Sequence, residues 1–158
     1  MRLILFRHGE AEPAAPDGHD ASRRLVAKGI AQNAAVARAI ARTGLRPRLI
    51  IHSPLVRARE TAEGIAPILE PKSGVVEDPR LACGARWKDV RDLAAECAAG
   101  KLVLVGHNPD FTEIAEALIG GGEVVLKTSG AACVNLEVVM PGGACLEWLL
   151  TPELVGDF

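Results

Sequence analysis

The chain has 158 residues, 49% hydrophobic and 24% charged, with a formal net charge of -2. That length and composition predict one domain spanning 1–158 with a sizeable core, and they exclude the high-charge, low-hydrophobicity pattern of a disordered chain. The Lys and Arg residues are dispersed without a basic block, which excludes nucleic acid as an expected partner. No apolar run approaches a membrane span.

Met1-Arg2 lead directly into Leu3-Phe6, a run too short for a signal-peptide core, so it reads as a first strand in a cytoplasmic protein. An Ala-rich segment follows, with Ile30, Ala34, Ala37 and Ala41 recurring on one face and Gly44 and Pro47 as stop signals; this predicts a crossover helix. Ala11 to Asp20, before it, reads as an irregular loop. Leu49-His52 is the second strand. A helix is expected from Ser53-Pro54, with serine as cap, Leu55, Ala58, Ala62, Ile65 and Leu69 facing inward, and Pro67 kinking or ending it.

Trp87-Cys97 predicts a third helix and Leu102-Val105 a third strand. A fourth helix after Asn108-Pro109 carries Phe111, Ile114, Ala115 and Leu118 inward and stops at Gly120. Ala132-Val139 and Cys145-Leu150 flank Pro141-Gly142-Gly143, and Val134/Leu136/Val138 and Leu146/Trp148/Leu150 alternate as in a hairpin with one buried face. The fold class expected is α/β: a three-layer sandwich with a mostly parallel central sheet, helices on both faces and a C-terminal β-hairpin. Cys83, Cys97, Cys133 and Cys145 form neither a C-x-x-C pair nor a zinc-spaced cluster, and they read as buried, reduced thiols.

Three strand candidates are followed at once by groups suited to phosphate chemistry. These are Arg7-His8-Gly9-Glu10, His52-Ser53-Pro54 with Arg57, and Gly106-His107-Asn108-Pro109. The carboxyl ends of neighbouring parallel strands face one crevice, so the three segments are expected to converge there. His19 alone among the four histidines lies away from a strand end.

With these motifs the chain resembles the histidine phosphatase, or phosphoglycerate mutase-like, superfamily. Its signature stands here as Arg7-His8-Gly9. Ser53-Pro54-Leu55-Val56-Arg57-Ala58, with Thr61-Ala62 behind it, is similar to the second motif, and Val105-Gly106-His107-Asn108-Pro109 to the third. Nearly the whole chain is covered, and its length points to the short, SixA-type branch of phosphohistidine phosphatases. The resemblance implies removal of phosphate from a phosphorylated histidine on a signalling or phosphocarrier protein through a phosphohistidine enzyme intermediate. No metal or other cofactor is expected, and inorganic phosphate is the product.

The residue types suit that chemistry. Phosphoryl transfer is catalysed mainly by positioning and charge, so a site needs fixed cations around an in-line nucleophile. Arg7, Arg57 and a protonated His107 would form the cage, and a neutral His8, one ring nitrogen held by a carbonyl, would attack. Ser53 either donates to the phosphate or caps its helix; Asn108 either caps or orients His107. Gly9 and Glu10 complete the expected substrate-binding set. Thr128-Ser129-Gly130 reads as a turn near the rim, and Lys127 and Arg23-Arg24 as solvated charges or a docking patch.

Many members of the family carry a carboxylate acid downstream of the second motif, where Cys83 stands here. An alkoxide leaves poorly without a proton donor, whereas imidazole leaves readily once protonated, so this departure fits the phosphohistidine branch. Glu10, Glu77 and Asp78 are possible substitutes. Two other readings stand beside it: a small-molecule phosphomonoesterase with the same site, and a non-catalytic phosphate-binding module.

Overall fold

A computed structural model describes residues 1–97 and 100–156. The apolar runs become strands β1 (Arg2–Arg7), β2 (Leu49–His52), β4 (Lys101–Gly106), β5 (Ala131–Leu136) and β6 (Ala144–Leu150), with β3 (Val75–Glu77) added between β2 and β4 in the chain. The helices are α1 (Ala27–Arg42), α2 (Val56–Leu69), α3 (Trp87–Glu96), α4 (Asp110–Ile119) and the short α5 (Pro152–Val155). All six strands form one sheet in the order β3-β2-β4-β1-β5-β6. The first four are mutually parallel; β5 pairs antiparallel with β1, and β6 antiparallel with β5.

The β1 residues alternate between two cores, which explains why the run is continuously apolar. Leu3 and Leu5 pack with Leu102, Leu104, Phe111, Ile114 and Leu118 under α3 and α4. Ile4 and Phe6 pack with Val103, Val105, Ile40, Ile65 and Leu69 under α1 and α2. The result is the expected three-layer α/β sandwich, mostly parallel, with a C-terminal strand pair. Each large side chain so buried contributes roughly 1.5–3 kcal/mol, and together they hold the strand ends in fixed register.

Several local expectations are corrected. On α1 the buried face is Gly29, Asn33, Val36, Ala37 and Ile40, while Ile30 is 55% exposed. In so Ala-rich a helix, Ala34 and Ala41 say little about which face turns inward. Helix α2 begins at Val56, with Leu55 rather than Ser53 at its cap position, and it continues through Pro67 to end where Glu70 turns left-handed at φ 50°. Ser53 still belongs to the strand end, because its N–H donates to Val105 O at 3.0 Å. Pro109, not Asn108, occupies the cap position of α4, after a cis Asn108-Pro109 peptide bond.

At the hairpin, β5 stops at Leu136 and a register shift between Cys133 and Val134 pairs them with Trp148 and Leu146. Glu147 is the extra residue of that bulge, so Leu146 and Trp148 do not share a face. Leu146 and Val138 are exposed. Of the cysteines only Cys133 is buried; Cys83 and Cys145 are exposed and Cys97 is intermediate, all free thiols. Among the described residues no helix is long and apolar enough to cross a membrane.

Candidate active site

The register of the sheet brings the three motifs together. Arg7 lies opposite Gly106 across β1 and β4, and His52 opposite Val105 across β2 and β4. The next residues, His8, His107 and Ser53, therefore leave adjacent strands side by side at the carboxyl edge. The His8 and His107 rings have centroids 5.1 Å apart, and His107 Nε2 lies 2.7 Å from Ser53 Oγ. Arg57, in the first turn of α2, is 5% exposed and leans back over the strand end as helical side chains do.

His8 is held in one orientation. Its Nδ1 lies 2.7 Å from the Gly9 carbonyl, which can only accept, so the proton is on Nδ1. The lone pair on Nε2 faces Arg57, whose Nε–H donates to it at 3.2 Å. Burial pushes the imidazole down to about 3, helped by the charges of His107, Arg57 and Arg7 and opposed by the Gly9 carbonyl. His8 is thus neutral at physiological pH. His107 is also pushed down, to about 4, by burial first and then by Arg57 and Arg7, with Asp20 opposing. Burial and the neighbouring arginines thus disfavour the charged form of His107, while the Asp20 carboxylate favours it.

Arg7 reaches the Leu126 carbonyl through Nη1 at 3.0 Å, and its Nε is buried without a partner. Burial lowers its pKa, and no carboxylate bonds to it among the described residues. Asn108 Nδ2 donates to the same carbonyl at 3.1 Å. The Thr128-Ser129-Gly130 turn clamps the backbone of this segment: Arg7 N–H donates to Gly130 O at 2.9 Å and Ser129 N–H to His8 O at 3.1 Å.

A buried polar network supports the loop from behind. Gly9 N–H donates to Thr61 Oγ1 at 3.1 Å, Thr61 Oγ1 donates to Arg57 O at 2.7 Å, and Asn33 Nδ2 donates to Thr61 Oγ1 at 3.2 Å. Thr61 sits one turn beyond Arg57, so one hydroxyl ties the nucleophile's loop to the helix bearing the arginine. Asn33 fixes the identity of residue 9, since a Cβ there would lie 2.5 Å from Asn33 Nδ2. Asn33 escapes sequence reasoning, although a lone polar residue among Gly29, Val36 and Ile40 is the signal that could have exposed it.

Asp20 is the other residue missed, because it lies at the end of a loop without periodicity. In a 3-10 turn, Asp20–Ser22, its carbonyl accepts from Arg57 Nη1 at 2.8 Å and its Oδ2 from Nη2 at 3.0 Å. Arg23 Nη1 donates to its Oδ1 at 2.7 Å. Bonds from Arg23 and then Arg57 hold the carboxyl below the usual carboxylate range.

The remaining expected residues make no bond to Arg7, His8, Arg57 or His107 among the described residues. Glu10 pairs with Lys28 at 2.9 Å, and Asp78 with Arg80 at 2.7 Å. Glu77 is the exposed last residue of edge strand β3. His52 is buried with Nδ1 on the Ser53 carbonyl at 2.8 Å. Arg24 pairs with Glu60 at 2.7 Å, so of the pair Arg23-Arg24 both side chains are engaged within the molecule.

Known proteins bear on this geometry. The histidine phosphatase superfamily (branch 1) model matches residues 3–83. An uncharacterized protein from Picosynechococcus sp. is 40% identical over 126 residues, 77% of this chain and 74% of that protein. Among solved structures, the protein histidine phosphatase SixA complexed with tungstate superposes with a TM-score of 0.87 at 23% identity, covering 99% of this chain and 100% of that one. A candidate phosphohistidine phosphatase SixA from Agrobacterium tumefaciens gives 0.79 at 28% identity over 96% and 97% of the two chains. A phosphoserine phosphatase mutant from Entamoeba histolytica in complex with phosphoserine gives 0.71 at 19% identity over 96% and 98%. Matched over more than half its length by the family model, the chain belongs to the histidine phosphatase superfamily and is a phosphatase.

Proposed function

We propose that this phosphatase hydrolyses phosphohistidine on a protein partner, in the cytoplasm, without a metal ion, and that the whole chain is one catalytic domain. His8 is the nucleophile; Arg7, Arg57 and His107 hold the transferring group. Ser53 supports His107, and Gly9 supplies the carbonyl that orients His8. Nε2 attacks phosphorus, the substrate's P–N bond breaks, and its imidazole leaves carrying a proton already bound or taken from solvent. Water then cleaves the P–N bond to His8, releasing inorganic phosphate and restoring the neutral ring. The negative phosphoryl group favours protonation of His107, so anion binding is coupled to proton uptake there.

The observation that carries the choice of leaving group is the state of Asp20. It is the carboxylate bonded to the cage among the described residues, and its two arginine partners hold it ionised. A carboxylate kept charged at neutral pH is a poor proton donor, which disfavours an alkoxide leaving group and suits an imidazole. The likeness to the Agrobacterium SixA protein supports the same reading, and free cysteines suit a reducing compartment. For metal independence, the support is that no three His, Cys, Asp or Glu side chains gather as a metal site among the described residues.

The test is turnover of a phosphohistidine-bearing protein and of an aryl phosphate, each with chelator, by wild type and His8→Ala. The proposal expects chelator-resistant turnover that favours the phosphoprotein and is lost in the variant. Equal or better turnover of the aryl ester, or a requirement for added metal, would refute it.

A further inference from the structure

The fold gathers a second group of cations at the opposite end of the parallel strands. The segments entering β2, β3 and β4 are laced together there: Arg48 N–H donates to Lys101 O at 2.7 Å, Ser73 N–H to Arg48 O at 2.7 Å, and Lys72 N–H to Pro47 O at 3.2 Å. Between them lies a cleft of about 500 Å³ lined by Arg46, Arg48, Lys72, Ser73, Gly100 and Lys101. These residues are scattered in sequence, so no basic block announces them.

Among the described residues, every side chain lining the cleft is cationic or a hydroxyl. Arg46 is partly offset by Glu70 at 3.4 Å, and Arg48 is engaged within the molecule. Lys72 and Lys101 have no acidic partner among the described residues. Lys72 and Lys101 thus stand beside two arginines without a carboxylate of their own, in a chain whose net charge is -2, and a multiply charged anion would relieve the repulsion between the two ammonium groups. Guanidinium forks beside ammonium groups match phosphate oxygens. The cleft has the volume of a small-ligand site, and among the described residues its lining offers no aromatic face on which a base could stack and no apolar side chain to anchor a peptide.

We propose that this cleft is a second anion site, separate from the catalytic cage, which takes a small oligophosphate: several linked phosphate groups without a base. The site does not depend on which phosphorylated substrate the catalytic end hydrolyses.

The experiment is an NMR titration of the full chain with tripolyphosphate at constant ionic strength, in wild type, Arg57→Ala and the double variant Lys72→Gln/Lys101→Gln. Saturable shifts are expected at the Ser73, Gly74 and Lys101 amides. Losing two charged hydrogen-bond donors should weaken that binding at least about tenfold in the lysine variant, leave it unchanged in Arg57→Ala, and leave aryl phosphate turnover of the lysine variant unchanged. Shifts confined to the His8 and Arg57 region, equal affinity in the lysine variant, or the same response to sulfate at matched ionic strength would overturn the proposal.

Discussion

Arg57 spends all three of its donor groups inside the site, on His8 Nε2, the Asp20 carbonyl and the Asp20 carboxylate. It therefore couples the nucleophile to a loop that sequence periodicity does not reach. Arg57→Lys keeps the charge but cannot reproduce that fork, and kcat/KM should fall about 10²–10³-fold, the scale of losing a fixed donor at a reacting centre; steady-state kinetics checks this. Asp20→Asn separates two roles. If Asp20 only holds Arg57, the variant should bind phosphate or tungstate more tightly, because a negative charge beside the cage is gone, and should keep kcat on a phosphohistidine substrate within a few-fold. A loss of kcat of the order of 10², typical of a missing general acid, would show that Asp20 delivers the proton after all.

At the scale of elements, the site depends on how closely three pieces approach: the loop after β1, the middle of α1 and the second turn of α2. Gly9→Ala places a methyl group against Asn33 and is expected to destabilise the protein by about 1–3 kcal/mol, as overpacking does. Asn33→Ala removes the clashing amide, so in a double-mutant cycle by chemical denaturation the pair should show favourable coupling, recovering part of the loss. Thr61→Val leaves the Gly9 N–H without its acceptor and should cost about 1–3 kcal/mol. The strands were legible in the sequence because Leu3-Phe6 and Leu102-Val105 are apolar on both faces, and the motif residues follow them directly. The face of α1 was not, since alanine is tolerated inside and outside alike. Of the two roles open to Ser53, the cap position falls to Leu55; a serine before a proline has the local chemistry of a cap, and only the neighbouring strand reveals that its hydroxyl meets His107.

Across the whole molecule, the two histidines of the cage make stability depend on pH. Both pKa values are depressed in the folded state, to about 3 for His8 and about 4 for His107, against about 6.5 unfolded. The unfolded chain binds the additional protons, so stability is fully present above pH 6.5 and is lost as pH falls from there toward 4, with a slope approaching 1.4 kcal/mol per pH unit for each histidine. Denaturation curves at pH 7, 6 and 5 should show a shallower dependence in His8→Gln than in wild type. The whole-molecule view also contains what the motifs could not show, since the Asp20 turn meets Arg57, and the cations of the opposite cleft come together, only in the folded chain. The central claim is that His8 attacks phosphorus, and it is tested most directly by rapid alkaline quench of the enzyme during turnover followed by mass spectrometry of its peptides. The account predicts transient phosphate on His8 in wild type and none in His8→Gln; turnover with no phosphate on His8, or with the label on another residue, would contradict it.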